Sequence, residues 1–336
     1  MKKVLLTGIS GFIGQHCAIE LLNKGYKVKG SLRSLKKADY IIDILKKYTD
    51  ATEHLEFCEL NLLEDEGWNE AVADCDFVMH VASPFISKIP KDENELIKPA
   101  VEGTLRALKA ADNAGIKRVV LTSSMVAMLG DVMGDGNINE TSWTNVHAKN
   151  ATAYLKSKTL AEKSAWDFVK DKNMELVTIH PGPVYGPTTS SNLSGESMSL
   201  FKRIITGELK QMIKASINMS DVRDVAKIHV AALENKEAAN HRFIVASERA
   251  YTFTEITKLL KETGYDKVKT GVVPNFMVKL LANFNSEMKG MMPYVGKKYE
   301  GDIAKTKSTF NWKPVAFDKM VLDTATSVQN VLEAKK

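Results

Sequence analysis

The first 180 or so residues predict an α/β fold: a doubly wound parallel sheet with helices on both faces. Short apolar runs alternate with stretches of helical period, the pattern of βαβ units. The first of those runs stops in a glycine-rich turn. With 336 residues, 44% hydrophobic and 26% charged, the chain has material for a large core.

Val4 to Thr7 is a short apolar strand, Phe12 to Asn23 a helix, and Gly25 its C-cap. Tyr26 to Ser31 is the second strand and Leu35 to Tyr48 the second helix. Leu55 to Glu59 follows as a strand, Gly67 to Ala73 as a short helix, and Asp76 to Ala82 as a fourth strand bounded by Ser83-Pro84. Glu93 to Ala114 reads as a long helix despite Pro99, with Gly115 closing it. Lys117 to Thr122 and Leu176 to His180 are the fifth and sixth strands. Beyond them Pro181 to Pro187 is dense in turn residues and Ser190 to Ser199 is polar and loop-like. Helical patterns return at Asp221 to Glu234 and Thr254 to Gly264, and Phe276 to Met292 is rich in Met and Phe. This divides the chain into a nucleotide-binding domain over 1–183, with 216–247 folding back onto it. A smaller, discontinuous, mixed α/β substrate region takes 184–215 and 248–336.

A net charge of +5, spread over scattered lysines, is a solubility charge and argues against a nucleic-acid partner. Cys17, Cys58 and Cys75 lie far apart, as reduced thiols do. The apolar run after Met1-Lys2-Lys3 is broken at Thr7-Gly8, too soon for a signal peptide, and no stretch is long enough to span a membrane. A cytoplasmic, monomeric or homodimeric protein is expected. His80, His147, His180 and His229 have no metal-like spacing and read as structural or exposed.

Thr7-Gly8-Ile9-Ser10-Gly11-Phe12-Ile13-Gly14 joins the first strand to the first helix. Dinucleotide folds need a tight turn there, a backbone that can approach a pyrophosphate, and close helix–sheet packing; helix N-terminal amides then meet the phosphates. A plain glycine-rich turn is the bland alternative. Gly30-Ser31-Leu32-Arg33-Ser34, with Lys36 and Lys37 beyond, ends the second strand without the acid that would hold an NAD ribose. Small Ser31 leaves room for a 2′-phosphate and Arg33 can grip it as a planar fork, which predicts NADPH over NADH unless these are ordinary solvated cations.

Tyr154 and Lys158 stand one helical turn apart, with an apolar stripe continuing through Ala161, Ala165 and Phe168. This places the pair along the buried side, where a cation beside a phenol would lower the tyrosine's pKa toward neutrality and make it an acid or base for carbonyl chemistry. A core tyrosine with a snorkelling lysine fits the pair taken alone. Thr122-Ser123-Ser124 closes the fifth strand, where open α/β sheets place ligands.

Taken together, Thr7 to Gly14, His80-Val81-Ala82-Ser83-Pro84-Phe85, Val119 to Ser124, Tyr154 to Trp166, His180 to Pro187, Asp221 to Val225 and Phe310 to Pro314 resemble the extended short-chain dehydrogenase/reductase superfamily. Within it, the resemblance is to the dihydroflavonol-4-reductase-like group of NADPH-dependent aldehyde, ketone and cinnamoyl-CoA reductases. The resemblance implies a Rossmann-type fold, NADP(H) as cofactor and a small carbonyl substrate. Tyr154 would be the general acid, Lys158 would tune it and bind the nicotinamide ribose, and Ser124, with Ser123 as the rival, would be the catalytic serine. Thr7, Gly8, Ser10, Gly11, Phe12, Ile13, Gly14, Arg33, Lys37, Thr122, Tyr154 and Lys158 would border the cofactor. Val81, Ala82 and Ser83 would pass its ribose and adenosine side, and Pro181, Gly182 and Val184 its nicotinamide. Where relatives carry Asp-Leu, this chain has Asn61-Leu62; an asparagine carbonyl can still accept from adenine.

Met125 and Met128, next to the serine, and the methionines at 288–292 suggest a flexible apolar pocket for an aryl or alkyl carbonyl. Two other functions fit the same scaffold: an NAD-dependent nucleotide-sugar epimerase or dehydratase, and a protein that senses NADP(H) without turnover. The Arg33 region weighs against the first, and the intact Tyr154 and Lys158 against the second.

Overall fold

The computed structural model describes residues 1–84, 90, 92–131 and 136–335; Phe85 of the sequence motif lies outside them. Seven parallel strands form the central sheet: β1 (Lys3–Thr7), β2 (Lys27–Leu32), β3 (Leu55–Glu59), β4 (Phe77–His80), β5 (Arg118–Thr122), β6 (Glu175–Pro181) and β7 (His241–Val245). Their order is β7-β6-β5-β4-β1-β2-β3. The first three strands step one way from β1, and β4 starts again on its other side. The carboxyl ends of β1 and β4 therefore bound the crevice in which such sheets bind ligands. Six strands coincide with the runs read from the sequence. The seventh, β7, comes from within 216–247 and pairs with β6 from His241↔Val177 to Val245↔Pro181.

Alternation along the strands fills both faces. Val4 and Leu6 enter one core cluster with α1 (Phe12–Asn23), α2 (Ala38–Leu45) and residues of α7 (Val222–Ala231). Leu5, between them, joins Val78, Val119 and Leu121 in a second cluster, under α3 (Trp68–Val72), α4 (Asn94–Asn113) and α5 (Ala153–Val169). The helix predicted over 35–48 is shorter: Leu35–Lys37 is a 3-10 turn and α2 ends at Leu45. Pro99 lies inside α4 without ending it, since this near the start it sacrifices few ladder bonds.

A second layer covers the carboxyl edge. Gly136–Ile138, Ser216–Ile217, Tyr251–Thr252 and Lys298–Gly301 form a four-stranded sheet. The loop predicted over 190–199 is cut short, because α6 (Glu196–Ile205) begins inside it and buries Met198, Phe201 and Ile204. With α8 (Phe253–Glu262) and α12 (Phe317–Glu333), which follows the short α11 (Ala304–Phe310), α6 builds a separate core. A capping box of Thr252 and Glu255 starts α8. The Met- and Phe-rich stretch becomes α9 (Asn275–Leu281) and α10 (Ser286–Met291), a cap that leaves Phe276 72% and Phe284 87% exposed.

Candidate active site

A cleft of about 2480 Å³ runs from the glycine loop, past the ends of β4 and β5, to the cap, larger than a pocket for one small ligand. At its first end Gly8 has φ +73, and a Cβ there would lie 2.8 Å from Ala82 Cα; one on Gly14 would lie 2.1 Å from the Gly8 carbonyl oxygen. Only glycine permits this turn and the approach of α1 to it. Ser10, Gly11, Phe12 and Ile13 border the opening. Thr7 serves the frame: it is fully buried, and its Oγ1 accepts from the Val81 and Ala82 amides at 3.0 Å each. Ser31 is buried and its Oγ accepts from Gly8 N at 3.3 Å. Just past it, Arg33, Lys36 and Lys37 are exposed on the cleft, with no ion pair among the described residues. Such a cradle and three unpaired cations fit a dinucleotide that carries an extra phosphate.

Asn61 and Leu62 also line the cleft. Asn61 holds its own turn, its Oδ1 accepting from Leu63 N at 3.1 Å and its amide donating to Glu64 at 2.7 Å. Leu62 fills the space beside Gly103. Thr122 shares a 2.7 Å hydrogen bond with His229 Nε2. Gly182 N donates to Ser220 Oγ at 2.8 Å, and Val184 pairs with Ser220. The loop after β6 straps back over α1, with the Pro187 carbonyl on His16 at 3.0 Å, Thr189 on Gln15, and Ser190 on Tyr40 at 3.1 Å.

Tyr154 and Lys158 lie on the cleft side of α5, not the core side. The core positions of this helix are Leu155, Ala161, Ala165 and Val169, with Phe168 only partly buried. Ala161 and Ala165 of the sequence stripe do face the core, but at its start Leu155 takes the buried place next to Tyr154, and at its end Val169 takes that of Phe168. Tyr154 is 38% exposed as a residue, yet its hydroxyl sits low in the cleft among protein atoms. Burial pushes that phenol up to about 12, the Glu196 carboxylate adds to the rise, and a hydrogen bond with Ser124 opposes it. The predicted lowering is thus reversed: desolvation of the phenolate outweighs any cation nearby. Lys158 is lowered to about 8 by burial, with Glu162 working the other way.

The two serines separate cleanly. Ser123 Oγ donates to Glu162 Oε2 at 2.7 Å, deep in the core. Ser124 caps the 3-10 turn Met125–Met128, donates to the Pro181 carbonyl at 3.4 Å and reaches Tyr154. Glu162 itself, one turn after Lys158, was not singled out from the sequence. It is 1% exposed and also takes hydrogen bonds from Thr178 at 3.2 Å, Trp166 at 3.2 Å, Arg242 Nε at 2.7 Å and His180 Nε2 at 2.8 Å. The Tyr-x-x-x-Lys-x-x-x-Glu spacing was its one visible signal; its partners come from the residue after β5, from β6 and β7, and from Trp166 on α5 itself.

Residues 4–246 match the NAD dependent epimerase/dehydratase family. The chain belongs to that family. Cinnamoyl-CoA reductase CAD2 of Medicago truncatula is 36% identical over 268 residues, covering 77% of this chain and 80% of that protein. An anthocyanidin reductase of Vitis vinifera is 34% identical over 282 residues, covering 78% and 80%. Yeast methylglyoxal/isovaleraldehyde reductase Gre2, solved in complex with NADPH, has a TM-score of 0.80 at 25% identity, covering 99% of this chain and 100% of that one. The extended short-chain dehydrogenase/reductase resemblance, on its dihydroflavonol-4-reductase-like side, therefore holds.

The other part of the cleft lies between Tyr154 and the cap. Met125, Ile217, Leu200, Met291, Met292 and Tyr294 line that part of the cleft, with Glu196 among them. Met125 is 1% exposed and wedged against Gly182 and Gly301. Met128 departs from expectation: it packs into the core with Ile138 and Leu155 and does not reach the cleft. Met288 packs beside Val273 and Val278 instead. No described helix is long and apolar enough to cross a membrane.

Proposed function

We propose that this chain is an NADP(H)-dependent reductase of aldehydes or ketones, with Tyr154 as proton donor. The observation that carries it is the placement of one buried phenol, hydrogen-bonded to Ser124, at the middle of a cleft that starts in a phosphate cradle and ends in an apolar pocket. Bound in the cradle, NADPH supplies the hydride. Gly8, Gly11 and Gly14 would let the pyrophosphate approach the backbone, and Arg33, with Lys37 beside it, would hold the 2′-phosphate; Val81, Ala82 and Ser83 would border its ribose, and Pro181, Gly182 and Val184 its nicotinamide.

A phenol raised to about 12 is fully protonated at neutral pH, which is what a donor to a developing alkoxide must be. Ser124 fixes the carbonyl oxygen beside it. Lys158, cationic below about 8, stabilises the phenolate left behind, so reduction slows as pH rises past that value. Met125, Ile217, Met292 and Tyr294 suit an uncharged aryl or alkyl group. NADPH consumption across aliphatic, aromatic and acyl-CoA carbonyls tests the reading; no turnover with any of them, despite NADPH binding, would defeat it.

A further inference from the structure

Of the thirteen large hydrophobic residues that stand exposed among the described residues, seven fall between Val272 and Met291. Phe276, Leu280 and Phe284 are 72%, 61% and 87% exposed and follow one another at intervals of four. On α9 and the turn after it they share a side with Met277 and Leu281, also exposed. The opposite side is anchored by Val278, the one buried residue of this helix, which packs with Ile213, Ala215 and Val273. A helix held by one residue while five apolar ones face water is half of an interface. The charge nearby is as uneven. From Asp266 to Lys297 five lysines stand against Asp266 and Glu287, a net +3 of the chain's +5. Lys267, Lys269, Lys279 and Lys289 are exposed, and none has an ion pair among the described residues.

We propose that the outer side of α9 and the turn after it docks on an anionic membrane surface. Phe276, Leu280 and Phe284 enter the boundary of the acyl chains, and the lysines rest on the headgroups. A helix docked in this way lies in the plane of the bilayer and crosses nothing. The charge selects this occupant over a second copy of the chain. A twofold dimer through the same face would set these lysines against their own copies, whereas anionic headgroups neutralise them. Position supplies a use. Lys279, Ala282, Asn283 and Lys289 border the cap end of the cleft, so a docked chain opens that end toward the bilayer, where apolar carbonyl compounds dissolve. That use rests on the reductase reading; the docking does not.

The test is sedimentation of the full chain with vesicles of phosphatidylcholine alone, or with about one-third phosphatidylserine, at low and high salt. The wild type should bind the anionic vesicles about tenfold more tightly than the neutral ones, and lose that preference at high salt. A triple variant, F276S with L280S and F284S, should bind them about tenfold more weakly than the wild type or worse. K279E with K289E should erase the preference for phosphatidylserine. Tryptophan emission of F284W should shift to the blue on anionic vesicles and not on neutral ones. Equal binding of the wild type to both vesicle types, or a folded triple variant that binds as the wild type does, would overturn the proposal. Should the triple variant fail to fold, an unshifted F284W emission overturns it alone. A concentration-dependent dimer that the triple variant abolishes and vesicles leave intact would give the face to a second copy instead. A chain that binds these vesicles but never oxidises NADPH defeats the reductase reading and leaves the docking standing.

Discussion

The two ends of the cleft are built on opposite principles. The glycine-loop end is made of backbone and short side chains locked at the tips of buried strands: Thr7 ties β1 to β4, and no side chain fits at Gly14. The cap end is made of side chains on short helices, α9 and α10, with Phe276, Leu280 and Phe284 standing in solvent. A geometry set by backbone leaves no room for a side chain at Gly8 or Gly14. A surface made of Met, Leu and Phe can change from one relative to the next without disturbing the sheet. The comparison predicts that variants at the first end or centre cost cofactor use or chemistry, and variants at the second redistribute substrates.

The largest expected effect is at the junction. Tyr154→Phe should lower kcat about 10²- to 10⁴-fold and leave NADPH affinity nearly unchanged, measured by fluorescence titration; retained activity would remove Tyr154 as the donor. Arg33→Ala should raise the KM for NADPH about 10- to 100-fold with little change for NADH, and equal losses with both would mean the 2′-phosphate is held elsewhere.

Acid sharpens the same contrast, because all seven histidines lie outside 184–215 and 248–336. Burial lowers His16 and His229 to about 4 and His80 to about 3, from 6.5. The unfolded chain therefore binds more protons than the folded one below 6.5. The stability these neutral rings contribute is whole above 6.5 and drains away as pH falls toward 4 and then 3. Each ring contributes about 2 kcal/mol over that range, so urea denaturation should show a loss on the order of 5 kcal/mol between pH 7 and 5, and an unchanged midpoint would contradict it. Hydrogen exchange should place the first losses in β4 and α7, not α12. The smallest effect belongs to the pocket: Met125→Ala should alter the ratio of kcat/KM between bulky and small aldehydes about tenfold while sparing the KM for NADPH. Identical selectivity would take Met125 out of the substrate site.

Much of the first end was legible in the sequence because its signals are local. Glycines at 8, 11 and 14, the Arg33 turn and the Tyr154–Lys158 spacing each lie within a few residues, and six of seven strands announce themselves as apolar runs. What stayed hidden depends on residues distant in the chain. Ser123 and Ser124 look alike until Glu162, 39 residues from the first, takes one of them. The first buried residue of α5 could not be read, since Tyr154 and Leu155 are both apolar enough for the core and only the position of the cleft decides between them. The rise in the Tyr154 pKa depends on burial and on Glu196, neither visible from a helix wheel. α6 starts inside a polar run, Glu196-Ser197-Met198-Ser199, whose helical state comes from Met198 and Phe201 packing beneath α12.

The reach of Glu196 across the cleft has one more consequence. This carboxylate and Tyr294 belong to the cap side, yet Glu196 helps set how firmly Tyr154 keeps its proton, and Tyr154 in turn raises Tyr294. The cap side of the cleft and the hold of Tyr154 on its proton are therefore coupled. A loop graft from a relative into 190–200 would change the pocket wall and, by moving or removing Glu196, how strongly Tyr154 holds its proton in the same step.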